Sequence, residues 1–221
     1  EILIGLVGSE MCIRDRKIPK VYVVGHDWCN ITSFLLFEFT RTQDIKEADI
    51  VMFTGGEDIN PSLYGDIKHP TTYFTDRDDY EVAAFKAAPK DALLIGGCRG
   101  AQLLAALSGG KLFQHVLNHG GGTGGHDITS SDGHVMRITS CHHQMMNPYD
   151  LPEGDYELLA WSSKKLSPVY FTGTGEAKVP GNFVEPEIVY YPKTRSLCIQ
   201  GHPEWMPKDQ PVIAYINKLI N

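Results

Sequence analysis

Ala92-Leu-Leu-Ile-Gly-Gly-Cys-Arg-Gly100 is the stretch that decides the expected fold. Residues 92–95 form a short apolar run that is typical of a buried strand. Residues 101–107 are rich in Ala and Leu and predict a helix. Three glycines flank Cys98 between these two segments. A sharp turn needs such small neighbours, because the backbone there runs close to itself. The stretch therefore predicts a strand, a tight turn at Cys98 and a helix.

Cys98 is the first candidate for chemistry, because the turn would place it at the start of a helix. The positive end of the helix dipole and the unpaired amides favour a thiolate at that position. The amide of Arg99 would point at an oxygen that gains negative charge, which supplies half of an oxyanion hole. Free cysteines are commonly buried core residues. The strand–turn–helix context favours instead a nucleophile elbow.

Gly201-His-Pro-Glu204, at the end of a predicted strand, is the second candidate. In an extended segment, residues two apart project to the same side, so His202 and Glu204 would meet. Pro203 would hold the segment extended. A carboxylate on one imidazole nitrogen fixes the tautomer, and the other nitrogen can then take a thiol proton. Taken alone, a histidine and a glutamate two residues apart are more often an unrelated pair on the surface. With Cys98 upstream, the pattern favours a triad.

The rest of the chain predicts an α/β fold. In the first half, short apolar runs alternate with helical segments, which indicates a doubly wound parallel sheet. The predicted strands are 20–25, 48–54, 92–95, 134–139, 156–161, 188–191 and 197–200. The predicted helices are 31–40 with Asn30 as the N-cap, 78–88, 101–107 and 209–220. Residues 120–125, which are five glycines and a threonine, are predicted to form a mobile loop.

Composition narrows the function classes. The net charge of −7 argues against a nucleic-acid partner, which needs a basic face. No apolar run approaches the roughly 18 residues of a membrane span, so no membrane role is expected. The five cysteines are odd in number, widely spaced and without a CxxC pair. This pattern favours reduced thiols and a cytoplasmic location.

The first sixteen residues are interpreted separately. Leu6-Val-Gly-Ser-Glu-Met-Cys-Ile-Arg-Asp15 resembles the translation of a transposon-derived sequencing adapter. Residues 1–16 are therefore expected to be an assembly artefact, and residues 17–221 a single domain. The apolar run 2–8 lacks the basic flank of a signal peptide. A genuine first strand is the alternative.

Six motifs in a fixed order make residues 55–205 resemble class I glutamine amidotransferases, and in particular free-standing γ-glutamyl-γ-aminobutyrate hydrolases of the peptidase C26 type. The motifs are Gly55-Gly-Glu-Asp-Ile-Asn-Pro-Ser-Leu-Tyr-Gly65, Gly97-Cys-Arg-Gly-Ala-Gln102, Gly109-Gly-Lys-Leu-Phe-Gln114, Ser140-Cys-His-His-Gln144, Glu185-Pro-Glu187 and Gln200-Gly-His-Pro-Glu-Trp205. Six ordered motifs over most of the chain are far more specific than one short pattern.

The resemblance implies a flavodoxin-like three-layer sandwich, with a mostly parallel central sheet, flanking helices and a nucleophile elbow. It implies a catalytic triad of Cys98, His202 and Glu204. It also implies that Gly56 supplies the second oxyanion-hole amide beside that of Arg99.

The substrate site is less closely defined by the resemblance. Gln102 would lie near the glutamyl group, as in similar enzymes, or be an ordinary helix-surface glutamine. His143 and Gln144 would line the substrate pocket. The chain is shorter than many relatives between Tyr64 and Asp78, where related hydrolases shape the site for the amine. Upstream of Lys17 it also departs from the family.

The implied activity is hydrolysis of a γ-glutamyl amide through a γ-glutamyl thioester, with release of glutamate and no cofactor. The partner is then a small-molecule γ-glutamyl substrate, as the motif from Gly55 to Pro61 favours. One alternative is a glutaminase subunit that passes ammonia to a separate synthetase partner. The other is a catalytically silent binding relative, against which the presence of all three triad residues counts.

The histidines raise the question of a metal site. They include His115 and His119 four residues apart, His126, His134 and the pair His142-His143 beside Cys141. Their spacing matches no closed structural zinc site, and the intervening glycine-rich segment is a weak scaffold. The sequence therefore predicts no metal.

Overall fold

The computed structural model describes residues 17–120 and 122–220. The predicted artefact at residues 1–16 lies outside the described residues. Within the described ranges, no helix has the length and apolar character needed to cross a bilayer.

Strands and helices alternate along the first half of the chain, and strands dominate the second half. The strands are β1 (Lys20–Val23), β2 (Thr40–Arg41), β3 (Ile50–Phe53), β4 (Leu93–Gly97), β5 (Lys111–Phe113), β6 (His115–Val116), β7 (Gly122–Ser130), β8 (Val135–Ser140), β9 (Met145–Asn147), β10 (Glu157–Ser162), β11 (Tyr170–Thr172), β12 (Gly175–Glu176), β13 (Pro186–Tyr191) and β14 (Ser196–Ile199). The α-helices are α1 (Arg77–Ala87), α2 (Arg99–Leu107) and α3 (Pro211–Ile220). Short 3-10 helices cover Ile31–Phe34, Ile45–Glu47, Pro61–Tyr64, Pro192–Thr194 and Pro203–Trp205.

A nine-stranded sheet in the order β2-β1-β3-β4-β14-β13-β10-β7-β8 forms the centre of the molecule. From β2 to β14 the neighbouring strands are parallel, which confirms the predicted parallel core. From β14 to β8 they are antiparallel. The change of direction has a local cause: only the short turn at residues 192–195 separates β13 from β14, and such a turn can join only antiparallel neighbours.

Apolar residues cover both faces of this sheet, which gives the three layers of the predicted sandwich. On one face, Leu103 and Leu104 of α2 pack with Val51 and Phe53 of β3, and all four are fully buried. On the other face lies a second buried cluster. It contains Ile31, Phe34, Met52, Ile95, Ile199, Val212, Ile213 and Ile216. The fold is therefore a flavodoxin-like α/β sandwich.

The register at the sheet centre assembles the candidate site. Gly96 pairs with Phe53 of β3, and Gly97 pairs with Ile199 of β14. The three strands therefore end at one edge of the sheet. Gly55 and Cys98 follow two of them, and the segment leading to His202 follows the third. Ligands of parallel α/β sheets bind at such carboxyl ends.

The predicted helix at residues 31–40 is wrong. Only Ile31–Phe34 is helical, as a 3-10 turn. Asn30 has a φ of 53° and forms no side-chain cap, and the carboxylate of Asp27 accepts from the Ile31 amide instead. The amide of Leu36 donates to the side chain of Asn217, 2.8 Å away on α3, rather than to a helical carbonyl. Tertiary packing therefore takes precedence over the local helical pattern.

The predicted mobile loop at residues 120–125 is also wrong over most of its length, since β7 begins at Gly122 and pairs with β8. The pairing register shifts between Gly122 and His126, which marks a bulge. Gly125 lies there with a φ of 56°, and a Cβ would overlap the carbonyl of Ile138. The glycines therefore permit a bulged strand.

Gly100 provides a test of the packing between α2 and β3. A methyl group at this position would overlap the backbone carbonyl of Phe53, which cannot move without disturbing the sheet. We expect Gly100→Ala to lower the free energy of unfolding by about 1–3 kcal/mol or more, the usual range for overpacking. Urea denaturation followed by circular dichroism measures this change.

The matched control is Gly181→Ala, because a Cβ at Gly181 meets no atom within 4 Å. The urea concentration at the midpoint of its unfolding should equal that of the parent protein. Equal midpoints for both variants would show that the close approach at Gly100 is wrong.

Candidate active site

Cys98 lies at the turn between β4 and α2 in a conformation that L-residues rarely adopt. Its φ is 49° and its ψ is −108°. Its amide donates to the carbonyl of Ile199 at 2.8 Å, which ties the turn to β14. A Cβ at Gly96 would overlap the backbone of Gly100, so the turn closes only with glycine there. The predicted strand, tight turn and helix are all present, with Cys98 at the apex.

The Cys98 thiol is buried, with 5% of the residue exposed. Burial raises the pKa of this thiol to about 12, and the negative charge of Glu204 adds to the effect. The amide of Arg99 at the start of α2 acts in the opposite direction, but more weakly. Burial therefore favours the neutral thiol, which opposes the thiolate that the helix start was expected to favour. Attack by the sulfur requires a base that takes its proton.

His202 is placed to act as that base. Its Nδ1 lies 2.9 Å from Oε1 of Glu204, whose carboxylate is fully buried. Because a carboxylate accepts, Nδ1 carries the proton and Nε2 has a free lone pair. The indole ring of Trp205 stacks on the imidazole at 3.7 Å with 2° between the planes. The amide of His202 donates to the carbonyl of Thr139 at 3.1 Å, which fixes the backbone.

His202 and Glu204 meet as predicted, but not for the predicted reason. The segment is not extended, since Pro203–Trp205 forms a 3-10 turn. Pro203 occupies the first position of that turn, where its fixed φ suits a helix and its missing N–H removes no bond. The turn brings the Glu204 carboxylate within hydrogen-bond distance of Nδ1 of the imidazole.

Gly55 shows how close the candidate nucleophile and base are. A Cβ built on Gly55 would lie 3.2 Å from Cε1 of His202 and 3.7 Å from Cβ of Cys98. The two side chains therefore border the same small space beside the loop that follows β3. A larger residue at position 55 would enter that space.

Arg77, which the sequence analysis missed, holds this loop. Its guanidinium donates to the carbonyl of Gly55 at 2.9 Å and to the hydroxyl of Thr54 at 2.7 Å. Gly56 has a φ of 151°, and a Cβ there would overlap the Arg77 guanidinium and lie 3.4 Å from Cδ of Arg99. The two candidate oxyanion residues, Gly56 and Arg99, are therefore neighbours.

The Arg99 side chain is a second feature that the sequence analysis missed. It is 1% exposed and forms ion pairs with Asp78, at 2.6 Å, and with Glu81. Glu81 also pairs with Arg77 at 2.8 Å. Acidic residues in the first turn of a helix usually interact favourably with the helix dipole. Asp78 and Glu81 instead face inward. The only sequence signal was their spacing of three residues, which puts both on one face of α1.

The predicted substrate residues form a connected group along the segment after β8. Gln102 is buried and donates to the backbone carbonyl of Gln144 at 3.1 Å. The Gln144 amide donates to the hydroxyl of Thr72 at 3.3 Å. His143 is partly exposed and has its Nε2 2.9 Å from the carboxylate of Asp58. In the same segment, the carbonyl of Cys141 lies 3.9 Å from Sγ of Cys98. Gln102 thus fixes this segment instead of lying free on the helix surface.

Gln114 holds a second segment beside the candidate site, the one between β3 and α1. Its side chain is fully buried, and its oxygen accepts from the amide of His69 at 2.9 Å and the hydroxyl of Thr72 at 2.8 Å. Its nitrogen donates to the carboxylate of Asp66 at 2.7 Å. Gln114 therefore fixes the backbone of this segment from its buried side.

A buried cysteine at a strand–helix turn, beside a paired histidine and glutamate on a mixed α/β sheet, is the arrangement of a glutamine amidotransferase-like protein. The family match and the similar proteins support a class I glutamine amidotransferase-like family for this chain. The Peptidase C26 family matches residues 38–144. These findings support a hydrolase or amidotransferase type of function.

Two curated relatives and one solved structure illustrate the similarity. The chain is 42% identical over 110 residues to the "Putative glutamine amidotransferase-like protein YvdE homolog" of Lactococcus lactis subsp. cremoris, covering 47% of this chain and 55% of the relative. It is 30% identical over 164 residues to the "Putative glutamine amidotransferase Rv2859c" of Mycobacterium tuberculosis, covering 70% of this chain and 50% of the relative. The chain thus spans about half the length of these relatives.

The solved structure is a "putative gmp synthase subunit a protein" of Thermoplasma acidophilum. It aligns with a TM-score of 0.53 and 14% identity, over 92% of this chain and 98% of that one. At this identity the likeness shows the fold alone.

Removal of the Arg99 charge tests the buried ion network. Arg99→Met keeps most of the apolar stem but leaves Asp78 buried without its cation and Glu81 paired with Arg77 alone. We expect a loss of about 3–5 kcal/mol in the free energy of unfolding, as when one partner of a buried pair is removed. Lys193→Met is the control, because it breaks an exposed 2.7 Å pair with Asp155 and should cost below about 1 kcal/mol. Equal losses in urea denaturation would contradict this assignment.

The reactivity of Cys98 should follow its raised pKa. Below the pKa, the thiolate fraction rises about tenfold per pH unit. We expect alkylation of Cys98 by iodoacetamide in the folded protein to keep rising through pH 10, whereas in unfolded protein it levels off near the ordinary thiol pKa. Mass spectrometry of the Cys98 peptide measures both rates. A rate that is already constant at pH 7 in folded protein would show that the thiolate stands in the free site.

Proposed function

We propose that the chain is a hydrolase of γ-glutamyl amide bonds, with Cys98 as nucleophile, His202 as general base and acid, and Glu204 as the group that orients His202. One observation carries the proposal: Cys98 and His202 border one space beside Gly55, with His202 held 2.9 Å from Glu204. The choice of substrate class is supported by the six sequence motifs and is compatible with the Peptidase C26 match.

The first half of the reaction forms a thioester. Nε2 of His202 takes the Cys98 proton as the sulfur attacks the γ-carbonyl carbon of the substrate. The carbonyl oxygen becomes an oxyanion, and the amides of Gly56 and Arg99 donate to it. His202 then gives its proton to the amine nitrogen, the C–N bond breaks, and the amine leaves.

The second half consumes water. His202 removes a proton from a water molecule, whose oxygen attacks the thioester carbon. The same two amides hold the second oxyanion. The C–S bond breaks, glutamate leaves, and the sulfur regains the proton from His202. Water is the one co-reactant of this sequence.

A glutaminase subunit that delivers ammonia to a synthetase partner is the second candidate. Its support is the fold shared with a protein described as a synthase subunit. The two candidates differ in their requirements: the hydrolase acts alone on several amides, whereas the glutaminase subunit needs glutamine and its partner. A catalytically silent relative would act under neither condition.

The deciding assay is glutamate release by the purified chain alone, from γ-glutamyl-aminobutyrate, from other γ-glutamyl amides and from glutamine. We expect release from the non-glutamine amides, and a loss of about 1,000-fold or more in Cys98→Ala, because the nucleophile and its base act as a unit. Cys141→Ala, which removes an exposed thiol, should keep most of the activity. Equal rates for the parent and Cys98→Ala would overturn the nucleophile assignment.

A further inference from the structure

A buried cluster of imidazole and carboxylate groups takes no part in the proposed reaction. Its members are His119 in the segment between β6 and β7, His142 between β8 and β9, and Glu187 on β13. Each of these residues is at most 8% exposed. One nitrogen or oxygen atom from each lies within 4.8 Å of the other two. The prediction of no metal site rested on the spacing of neighbouring histidines along the chain. The fold instead brings together residues that are up to 68 positions apart.

The polar atoms of this cluster are directed at one another but are incompletely bonded. Nδ1 of His142 lies 2.7 Å from the carbonyl of Gln144, so it carries the proton and Nε2 has a free lone pair. Oε1 of Glu187 bonds to Nε2 of His126 at 2.7 Å. Within the described part of the chain, Nε2 of His142 and Oε2 of Glu187 have no hydrogen-bond partner. The ring nitrogens of His119 have only long contacts with carboxylates, 3.2 Å to Glu185 and 3.6 Å to Glu187. Buried polar atoms are usually satisfied, so this set calls for a ligand.

Charge indicates the sign of that ligand. Glu187 is fully buried, and a second carboxylate, Glu185, lies 3.2 Å from Nε2 of His119. The oxygens of Glu185 accept from the amides of Leu166 and Ser167, each at 2.8 Å, so this group is fixed in place. Two buried carboxylates beside imidazole lone pairs favour a cation.

We propose that His119, His142 and Glu187 bind one divalent transition-metal ion of the kind that prefers imidazole, with Zn²⁺ as the probe. Two imidazoles and one carboxylate form a donor set that Zn²⁺ accepts, whereas Ca²⁺ and Mg²⁺ prefer oxygen ligands throughout. The bonds from His142 to a backbone carbonyl and from Glu187 to His126 are of the type that orients metal ligands.

A proton shared between His119 and the two glutamates is the competing explanation. It accounts for the 3.2 Å contact between Nε2 of His119 and Glu185. It does not account for Glu187, whose Oε1 lies 3.6 Å from Nδ1 of His119, beyond a normal hydrogen bond. It also leaves Nε2 of His142 without a partner. One cation would contact all three residues at once.

The ion would act on the candidate active site through its position. His142 lies between Cys141, whose carbonyl is 3.9 Å from Sγ of Cys98, and His143, which pairs with Asp58. A metal bond at His142 would hold this segment to β13. The inference stands on the cluster geometry and does not depend on the proposed reaction.

The test is a zinc titration of the full chain carrying Cys98→Ala, which keeps the ion from the Cys98 sulfur. The protein is first stripped with a chelator and then titrated by calorimetry. We expect one equivalent bound per chain, a higher melting temperature with zinc, and binding weaker by roughly tenfold or more in Glu187→Gln and in His142→Gln. His134→Gln is the matched control, because the His134 side chain is 74% exposed on the turn between β7 and β8. It should bind as the parent does.

Glu187→Gln keeps an oxygen for His126, and circular dichroism shows whether either variant is folded. If a variant fails to fold, the proton NMR spectrum of Co²⁺ bound to the Cys98→Ala protein reports imidazole ligation through the paramagnetically shifted ring resonances. The proposal is overturned if the stripped protein takes up no zinc, if both ligand variants bind as tightly as His134→Gln, or if the cobalt spectrum lacks imidazole ligation.

Discussion

The candidate site depends on the backbone turn at Cys98, which combines strain with close packing. A non-glycine residue at positive φ costs about 1–3 kcal/mol and persists only where its surroundings determine it. Here the Cys98 amide is bonded to Ile199, and the glycines on either side leave room for the chain to close. The next residue, Arg99, is fixed through its side chain by two buried carboxylates. The turn is thus held by a strand on one side and by an ion network on the other.

The buried ion network matters more for the geometry of the candidate site than for the stability of the fold. The desolvation of buried charges offsets much of their attraction, so such groups are weak evidence for a stable fold. Here these charges fix the positions of two segments relative to each other, the turn at Cys98 and the loop after β3. Glu81 binds both Arg99, beside the candidate nucleophile, and Arg77, whose guanidinium holds the Gly55 carbonyl. The two candidate oxyanion donors are therefore positioned by one carboxylate on α1.

Local sequence patterns were sufficient for the parallel core and the elbow, because burial and turn chemistry act over a few neighbouring residues. These patterns failed where residues distant in the chain determine the local structure. The amide of Leu36, for example, donates to Asn217 and not to a carbonyl within a helix. The same limit applies to the site. His202 and Glu204 could be paired from their spacing, although a 3-10 turn and not an extended strand joins them. The roles of Arg77 and Gln114 arise only when the fold brings segments together.

Glu204 has opposite effects on the two groups that the proposed mechanism couples. Its buried charge contributes to the raised pKa of Cys98, which disfavours a thiolate in the free site. The same charge, 2.9 Å from Nδ1 of His202, favours an imidazolium once the proton has moved. Attack passes the negative charge from the sulfur to the carbonyl oxygen, where the Gly56 and Arg99 amides would receive it. In the proposed mechanism, this arrangement favours proton transfer together with attack on the carbonyl carbon.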